Sequence, residues 1–183
     1  DVPTSKRLAK GRVIEVLGDY YSPGIETKIA ARDYSLPYKW SQEIIESVQN
    51  LTSKISEDNS RVDLRLKHFI TIDGSYARDF DDAVYCESFE NEKFKLWVAI
   101  ADVAEYVSQA SSTDREALKR GNSVYFPNHV IPMLPERLSN DLCSLNPNEE
   151  KLVVVCEMTI NIDGIIENFN FYEATIVSHA RKT

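Results

Sequence analysis

The ten residues from Asp73 to Asp82 contain four aspartates, and three of them fall within residues 79–82. Carboxylates this close together repel one another, which raises the pKa of at least one of them. A divalent cation removes this conflict, and hard oxygen ligands suit Mg²⁺ or Mn²⁺. Two such ions about 3.5–4 Å apart can activate water and stabilise the leaving oxygen of a phosphodiester. The cluster is therefore a candidate metal site for phosphodiester hydrolysis.

Two other interpretations compete with a metal site. An EF-hand loop needs glycine at its sixth position, but counting from Asp79 that position is Val84, which excludes it. An acidic surface loop is a common origin of such clusters, yet this one lies directly between the apolar segments HFITI and DAVYCE. A turn at Gly74 would let all four carboxylates surround one point. From the residues alone, the metal site and the surface loop both stay open.

The composition narrows the class of protein. A net charge of −8 is unlike that of a simple nucleic-acid binder, but a site for divalent cations must itself be acidic, so the charge decides little. No segment approaches the roughly 18 apolar residues of a membrane helix, and the first residues lack the apolar run of a secretory signal. Three cysteines without CxxC spacing argue against a disulfide framework and a structural zinc site. We expect buried free thiols in a reducing cytoplasm.

The N-terminal quarter of the chain predicts two strands and a helix. Residues 11–18 (GRVIEVLG) alternate apolar and polar side chains, and residues 26–33 (ETKIAARD) read as a second short strand. Ser41 can cap a helix over QEIIESVQNL, whose apolar residues fall on one face. Residues 52–62 are polar and predict a linker, so we place a domain boundary near residue 52.

The remainder predicts a largely antiparallel sheet with short helices between its strands. DAVYCESF, FKLWVAIADV, KLVVVCEMTINI and IIENFNFYEATIV are strands, the last two joined into a hairpin by NIDG. SSTDREALKRG is a helix capped by Ser112 or Thr113 and stopped by Gly121. NSVYFP is extended, and PERLSNDLC is a short helix. We therefore predict an α+β fold.

Several separated blocks resemble the RNB-domain exoribonucleases, the family of ribonuclease II and ribonuclease R. Their sequences are more similar to the ribonuclease R branch. These blocks are TIDGSYARDFDDAVYCE, LWVAIADVAEYV, DREALKRGNSVYFPNHVIPMLPERLSNDLCSLNP and ATIVSHARKT. They keep their order and spacing over residues 60–183. The segment GRVIEVLGDYYSPGIETKIAARDYSLPYKW resembles the end of an OB-type cold-shock domain and its connection to the catalytic domain.

This resemblance implies a 3′-to-5′ processive exoribonuclease that uses Mg²⁺, with Mn²⁺ as a substitute, and releases nucleoside 5′-monophosphates. The implied partners are single-stranded RNA 3′ ends, and the parent protein could also act on structured RNA. The resemblance implies no membrane and no obligate protein partner. The family's four catalytic aspartates match Asp73, Asp79, Asp81 and Asp82. We expect Asp73 and Asp82 to hold one metal ion, and the other two to serve or position a second. The aromatic residue that stacks on a base matches Tyr125.

The resemblance also implies that this chain is a fragment. Residues 1–52 would be the end of a cold-shock domain with its connecting helix, and residues 53–183 the N-terminal part of an RNB catalytic domain. The family's second stacking aromatic, an arginine and a glutamate near the scissile phosphate would follow Thr183, so we expect this chain alone to be inactive.

A non-catalytic RNA- or protein-binding module is the rival hypothesis. A structural acidic metal-binding domain would not explain Tyr125. Asp102 is expected to be a structural hydrogen-bonding residue, and the three histidines are not expected to bind metal.

Overall fold

The computed structural model describes residues 11–53, 55, 60–90 and 92–183. These residues form two compact units. The first comprises the described residues up to Lys39 together with Val124–Ile131, and the second comprises those in Trp40–Ser123 and Pro132–Thr183. Part of the predicted linker, at residues 54 and 56–59, lies outside the described residues. In the described ranges, no helix is both long and apolar enough to cross a membrane.

The first unit contains helix α1 (Ile25–Asp33) and a hairpin of β5 (Val124–Phe126) and β6 (His129–Ile131). The prediction of two strands near the N-terminus is therefore wrong. Residues 11–18 have no regular secondary structure, because no described strand pairs with them, and Val13, Ile14 and Val16 remain exposed. The second predicted strand lies within α1.

The segment that forms α1 favours a helix for identifiable reasons. Gly24, with φ of 80°, begins the helix in the left-handed region that glycine tolerates. Ile25 and Ile29 are one helical turn apart, and Ala30 and Ala31 are the strongest helix formers in the segment. Ile25 and Ala31 are both buried. Apolar residues spaced by three and four therefore outweigh the short alternating pattern from which a strand was predicted.

The second unit is built on a six-stranded sheet of mixed, mostly antiparallel pairing, as predicted. Its strands are β1 (Val62–Asp63), β2 (Phe69–Ile72), β3 (Asp82–Phe89), β4 (Lys93–Ala101), β7 (Glu150–Ile160) and β8 (Ile166–Lys182). Strand β8 is long enough to pair twice. Its first part is antiparallel to β7, and its last part is parallel to β2. The pairings β2–β3–β4–β7–β8 therefore return to β2 and form a closed circuit.

The two faces of this sheet differ in burial. The buried face carries residues such as Ala83, Trp97, Val155 and Ile176, and it packs on the π-helical turn Arg137–Leu142 and the segment after it. The opposite face carries the apolar residues at even positions of β4 and β7. In β4 these are Phe94, Leu96, Val98 and Ile100, which were predicted to share a face. Several residues of this second face are exposed: Phe94, Ile100, Val154, Phe169 and Phe171.

Two α-helices lie in the described part of the second unit, close to their predicted positions. Helix α2 (Gln42–Gln49) begins at Ser41, whose hydroxyl accepts a hydrogen bond from the Ile44 N–H, as predicted. Helix α3 (Ser112–Arg120) ends at Gly121, also as predicted. Its capping residue is Ser111 rather than Ser112 or Thr113, because the Ser111 hydroxyl accepts from the Asp114 N–H. The predicted cap is thus displaced by one residue.

A buried ion pair fixes the end of β4. Asp102 is 7% exposed and accepts a hydrogen bond of 2.6 Å from Arg61, which also contacts Glu105. The Asp102 N–H donates to the Leu152 carbonyl at 3.0 Å. Charges taken out of water in this way must be paired, since removal of one partner leaves an uncompensated charge. The predicted structural role of Asp102 is therefore confirmed.

The three cysteines are all free, but they do not share one environment. Cys143 is buried, Cys156 is half-buried and Cys86 is exposed, so the expectation of buried thiols fails for Cys86. Cys86 lies on the second, more open face of the sheet, opposite Leu96 of β4. Burial, more than any nearby charge, raises the pKa of the Cys143 thiol to about 12.

We predict that native protein at about pH 8 is alkylated by iodoacetamide at Cys86 well before Cys143. The thiolate is the reactive species, and a pKa of about 12 leaves only about one Cys143 thiol in 10⁴ ionised at that pH. Peptide mass spectrometry over a time course measures the two rates. In denaturant the rates should become similar, and equal rates in the native protein would contradict the packing described for Cys143.

Candidate active site

The acidic cluster lies in the connection between β2 and β3, two antiparallel neighbours in the sheet. Asp73 follows the last residue of β2, and Asp82 is the first residue of β3. The Asp73 N–H donates to the Lys182 carbonyl of β8 at 2.9 Å, so the parallel pairing continues one residue beyond β2. Both ends of the acidic loop, residues 73–81, are therefore fixed by the sheet.

Phe80 anchors the middle of the acidic run. Its side chain is only 5% exposed although aspartates flank it on both sides. Its N–H donates to the Ser144 hydroxyl at 3.0 Å, and its carbonyl accepts from the Leu145 N–H at 2.9 Å. The next carbonyl, that of Asp81, accepts from the Ala101 N–H of β4 at 2.9 Å. The backbone is thus held on both sides, and the carboxylates flanking Phe80 cannot move apart freely.

The electrostatics of Asp81 show that the four carboxylates influence one another. Burial of its carboxyl group is the largest cause that raises the pKa of Asp81, and the charges of Asp79, Asp82 and Asp73 raise it further. The side chain keeps solvent contact at its surface, so the protein atoms around it displace only part of its water. A cation bound here would reverse the shift, because it favours the ionised carboxylate.

Asp73 supplies a second indication of a cation site. Its Oδ2 atom is buried and has no hydrogen-bond partner among the described residues. A buried carboxylate oxygen without a partner is costly, and a metal ion would satisfy it. Across the described ranges, however, no three His, Cys, Asp or Glu side chains are arranged to hold a metal ion. The structure brings the four aspartates into mutual electrostatic range without placing three of them as a coordination group.

These observations fit a divalent cation better than the alternative of a solvated acidic loop. The donors are hard carboxylate oxygens. Asp73 Oδ2 is buried without a partner, and burial followed by the charges of neighbouring aspartates raises the pKa of Asp81. A solvated loop would not be expected to bury a carboxylate oxygen without a partner, as Asp73 does. Asp73, Asp79, Asp81 and Asp82 are therefore the residues that could hold the cation.

Tyr125, the predicted base-stacking residue, is the central residue of β5 in the first unit, whereas the aspartates belong to the second. It pairs with Val130 across the hairpin, and its side chain is 66% exposed. An exposed tyrosine on a short hairpin can present its ring to a ligand, and it is not a core aromatic. The first unit also contains an open pocket of about 940 Å³ between α1 and this hairpin; Tyr125 does not line it.

Two residues around the acidic loop were missed by the sequence analysis. Ser144 is fully buried, and its hydroxyl also contacts the Arg78 carbonyl at 3.3 Å. Arg181 donates from Nη2 to the Gly74 carbonyl at 2.6 Å. Both lie in blocks quoted for the family resemblance, and a polar residue within the apolar run LCSL was a usable signal for Ser144. The signal for Arg181 was absent, because its partner is 107 residues away.

Two of the three histidines lie side by side. His68 and His179 are exposed, and their rings stack with centroids 4.3 Å apart. The parallel pairing of β2 with β8 brings them side by side. In the part of the chain that the structure describes, neither ring joins a group of three potential metal ligands.

Comparisons with known proteins agree with this architecture. The RNB domain family matches residues 61–183, and the cold shock domain family matches residues 1–41. Ribonuclease R of Vibrio cholerae is 51% identical over 185 residues, which cover 100% of this chain and 22% of that protein. The chain thus spans about a fifth of the length of this relative.

Solved structures of relatives have the same fold. Mycoplasma genitalium RNase R in complex with ribose methylated single-stranded RNA is 38% identical, with a TM-score of 0.87, over 92% of this chain and 26% of that one. The same protein in complex with double-stranded RNA gives 39% identity and a TM-score of 0.87, over 92% and 30% of the two chains. With the RNB match covering two thirds of its residues, the chain belongs to the RNB domain family, and its relatives are ribonuclease R proteins.

Proposed function

We propose that the protein of which this chain is part is a 3′-to-5′ processive exoribonuclease that hydrolyses RNA by a two-metal mechanism and releases nucleoside 5′-monophosphates. The observation that carries the proposal is the presence of four aspartates in one short connection whose backbone is bonded to β8, to β4 and to Ser144. The family match and the RNase R relatives support the same reaction. A cytoplasmic location is part of this proposal.

The proposed roles follow from the positions of the side chains. Asp73, at the start of the acidic loop, and Asp82, the first residue of β3, would hold one divalent ion, Mg²⁺ or Mn²⁺. Asp79 and Asp81 would hold or orient a second. When bound, such ions supply charge neutralisation for the phosphate and an activated water. The protein keeps the carboxylates at fixed separations, because Phe80 is buried and its backbone is bonded to Ser144 and Leu145. Preorganisation of this kind is the main electrostatic contribution of a protein to catalysis.

The proposed substrate is the 3′ end of single-stranded RNA, and structured RNA can be a substrate of the whole protein. The Mycoplasma genitalium relative was solved with both kinds of RNA. Tyr125 would stack on a base near the 3′ end. Stacking on an aromatic ring is tolerant of sequence, which a processive degrader requires. We also propose a domain boundary near residue 52, between residues 1–52 of the cold-shock part and residues 53–183 of the RNB part; the two family matches fall on either side of it.

The rival function is a module that binds RNA or protein without hydrolysis. A member of the family that had lost catalysis would be expected to carry a substituted aspartate in the loop. All four aspartates are present, and the unpartnered Oδ2 of Asp73 favours a bound cation over a vestigial loop. The enzyme is therefore the better-supported proposal, and the following variants test it in the longer protein.

Asp81→Asn should lower RNA hydrolysis by about 10²-fold or more, since losing one preorganised electrostatic group typically costs that much. RNA affinity should change little, because backbone contacts and stacking supply most of it. Single-turnover assays with end-labelled RNA and filter binding measure the two quantities. Asp163→Asn, in the exposed turn of the β7–β8 hairpin, is the matched control. Full turnover by the Asp81→Asn protein would exclude the proposed active site.

Tyr125→Ala should lengthen the final oligonucleotide that the enzyme leaves undegraded. A short substrate has few stacking contacts, each worth about 1–3 kcal/mol, so the loss of one matters most near the end of the reaction. High-resolution gels of the end products measure the effect. Tyr125→Phe keeps the ring and should leave the end product as in the wild type. An unchanged end product with Tyr125→Ala would remove this residue from the proposed binding site.

The 183-residue chain alone should not degrade RNA, even with Mg²⁺ and all four aspartates intact. Hydrolysis also needs the substrate held in line, and such positioning contributes about 7–11 kcal/mol of the barrier. The chain spans only 22% of the Vibrio cholerae ribonuclease R, and we propose that positioning groups lie in the remainder. The assay is degradation of 3′-labelled single-stranded RNA, with the longer protein as the positive control. Processive degradation by the isolated chain would contradict this division of roles.

A further inference from the structure

The side chain of Arg181, on strand β8, contacts the acidic loop at two points. In the parallel pairing of β2 with β8, Arg181 lies opposite Thr71, two residues before Asp73. Its Nη2 atom donates to the Gly74 carbonyl at 2.6 Å. Its guanidinium carbon also lies 4.8 Å from the centre of the Phe80 ring. One cation therefore contacts the residue after Asp73 and the residue between Asp79 and Asp81.

The remaining capacity of this guanidinium is unusual. The Arg181 Nε atom is buried and has no hydrogen-bond partner among the described residues, and the same holds for Asp73 Oδ2. Leaving a charged donor and a charged acceptor unsatisfied costs stability. A position that retains both is a candidate for a functional role, because a purely structural arginine would be expected to use its donors. The contacts to Gly74 and Phe80 show which part of the molecule that role concerns.

The charge and shape of arginine suit this position. The acidic loop and the first residue of β3 carry four carboxylates, whose repulsion would drive Asp73 away from residues 79–82. Arg181 contacts Gly74, next to Asp73, and Phe80, next to Asp79 and Asp81, and a positive charge beside these residues reduces that repulsion. A guanidinium can also donate through one nitrogen while its plane rests on an aromatic ring, a combination that lysine cannot reproduce.

We propose that Arg181 is a positioning residue of the acidic site: by holding Gly74 and Phe80 together, it sets the separation between Asp73 and the aspartates at 79, 81 and 82. This inference rests on the proposed function for its catalytic consequence. The structural consequence, which is the order of the loop and its affinity for a divalent cation, does not depend on the proposed function. Arg181 itself makes no contact with the reacting atoms in this proposal.

The test uses the longer protein with Arg181→Met and Arg181→Lys. Arg65→Met is the matched control, because Arg65 is an arginine of the same unit that forms exposed ion pairs with Asp63 and Glu150. Mn²⁺ binding is measured without RNA by electron paramagnetic resonance. Hydrogen exchange reports the amides of residues 73–81, and kcat and KM for RNA are measured across a range of Mg²⁺ concentrations.

Arg181→Met should weaken Mn²⁺ binding about 10–100-fold, the usual effect of losing a residue that orients metal ligands. It should speed exchange in residues 73–81 and leave strands β4 and β7 unchanged. It should lower kcat with little change in KM for RNA, and raised Mg²⁺ should recover part of the rate. Arg181→Lys should be intermediate, and Arg65→Met should resemble the wild type in every measurement.

Wild-type Mn²⁺ affinity and loop exchange in Arg181→Met would overturn the proposal. If that variant does not fold, Arg181→Lys decides, because wild-type metal affinity in the folded lysine variant would equally overturn it. Failure of the proposed function is recognised separately. If Asp81→Asn retains full turnover, the exoribonuclease site is wrong, whereas weakened Mn²⁺ binding and faster loop exchange in Arg181→Met would still support the positioning role.

Discussion

The burial of Phe80 is the constraint on which the rest of the acidic site depends. Three aspartates within four residues would move apart if their backbone were free. Phe80 prevents this, because its ring is in the core and its N–H and carbonyl are bonded to Ser144 and Leu145. The free energy gained by burying an aromatic side chain therefore opposes electrostatic repulsion in the same short segment. Burial of the apolar residue inside the acidic run therefore explains how the chain holds these aspartates close together.

The sheet extends that constraint to both ends of the loop. Asp73 is tied to β8 through its N–H, and Asp81 is tied to β4 through its carbonyl. Strand β8 reaches the loop only because it first pairs with β7 and then continues past the end of that partner to β2. The ion pair of Asp102 with Arg61 fixes the end of β4 directly after the residue that bonds to Asp81. Groups distant in sequence thus converge on one short connection.

Local patterns predicted much of this fold, and long-range pairing explains most of what they missed. Alternation predicted β3, β4, β7 and β8, and a capping serine predicted the start of α2. Alternation did not reveal which face is buried, because the even positions of β7 are the more apolar ones, yet Val153 and Val155 at odd positions are the fully buried residues. The candidate aspartates could be found because they are adjacent in sequence. Ser144 could be noticed as a polar residue in an apolar run, but its partner could not be found, and Arg181 gave no signal; each acts on a loop more than sixty residues away.

The distance in sequence between the acidic loop and Arg181 has a consequence during synthesis of the protein. The two partners, Gly74 and Arg181, are 107 residues apart. At about 5–20 residues per second, roughly 5–20 s pass between their incorporation into the chain. Contacts between residues so far apart in sequence also form late in folding, because loop closure must precede them. The nascent chain therefore exposes a like-charged, unanchored acidic segment to the ribosome for several seconds before β8 can fix it in place.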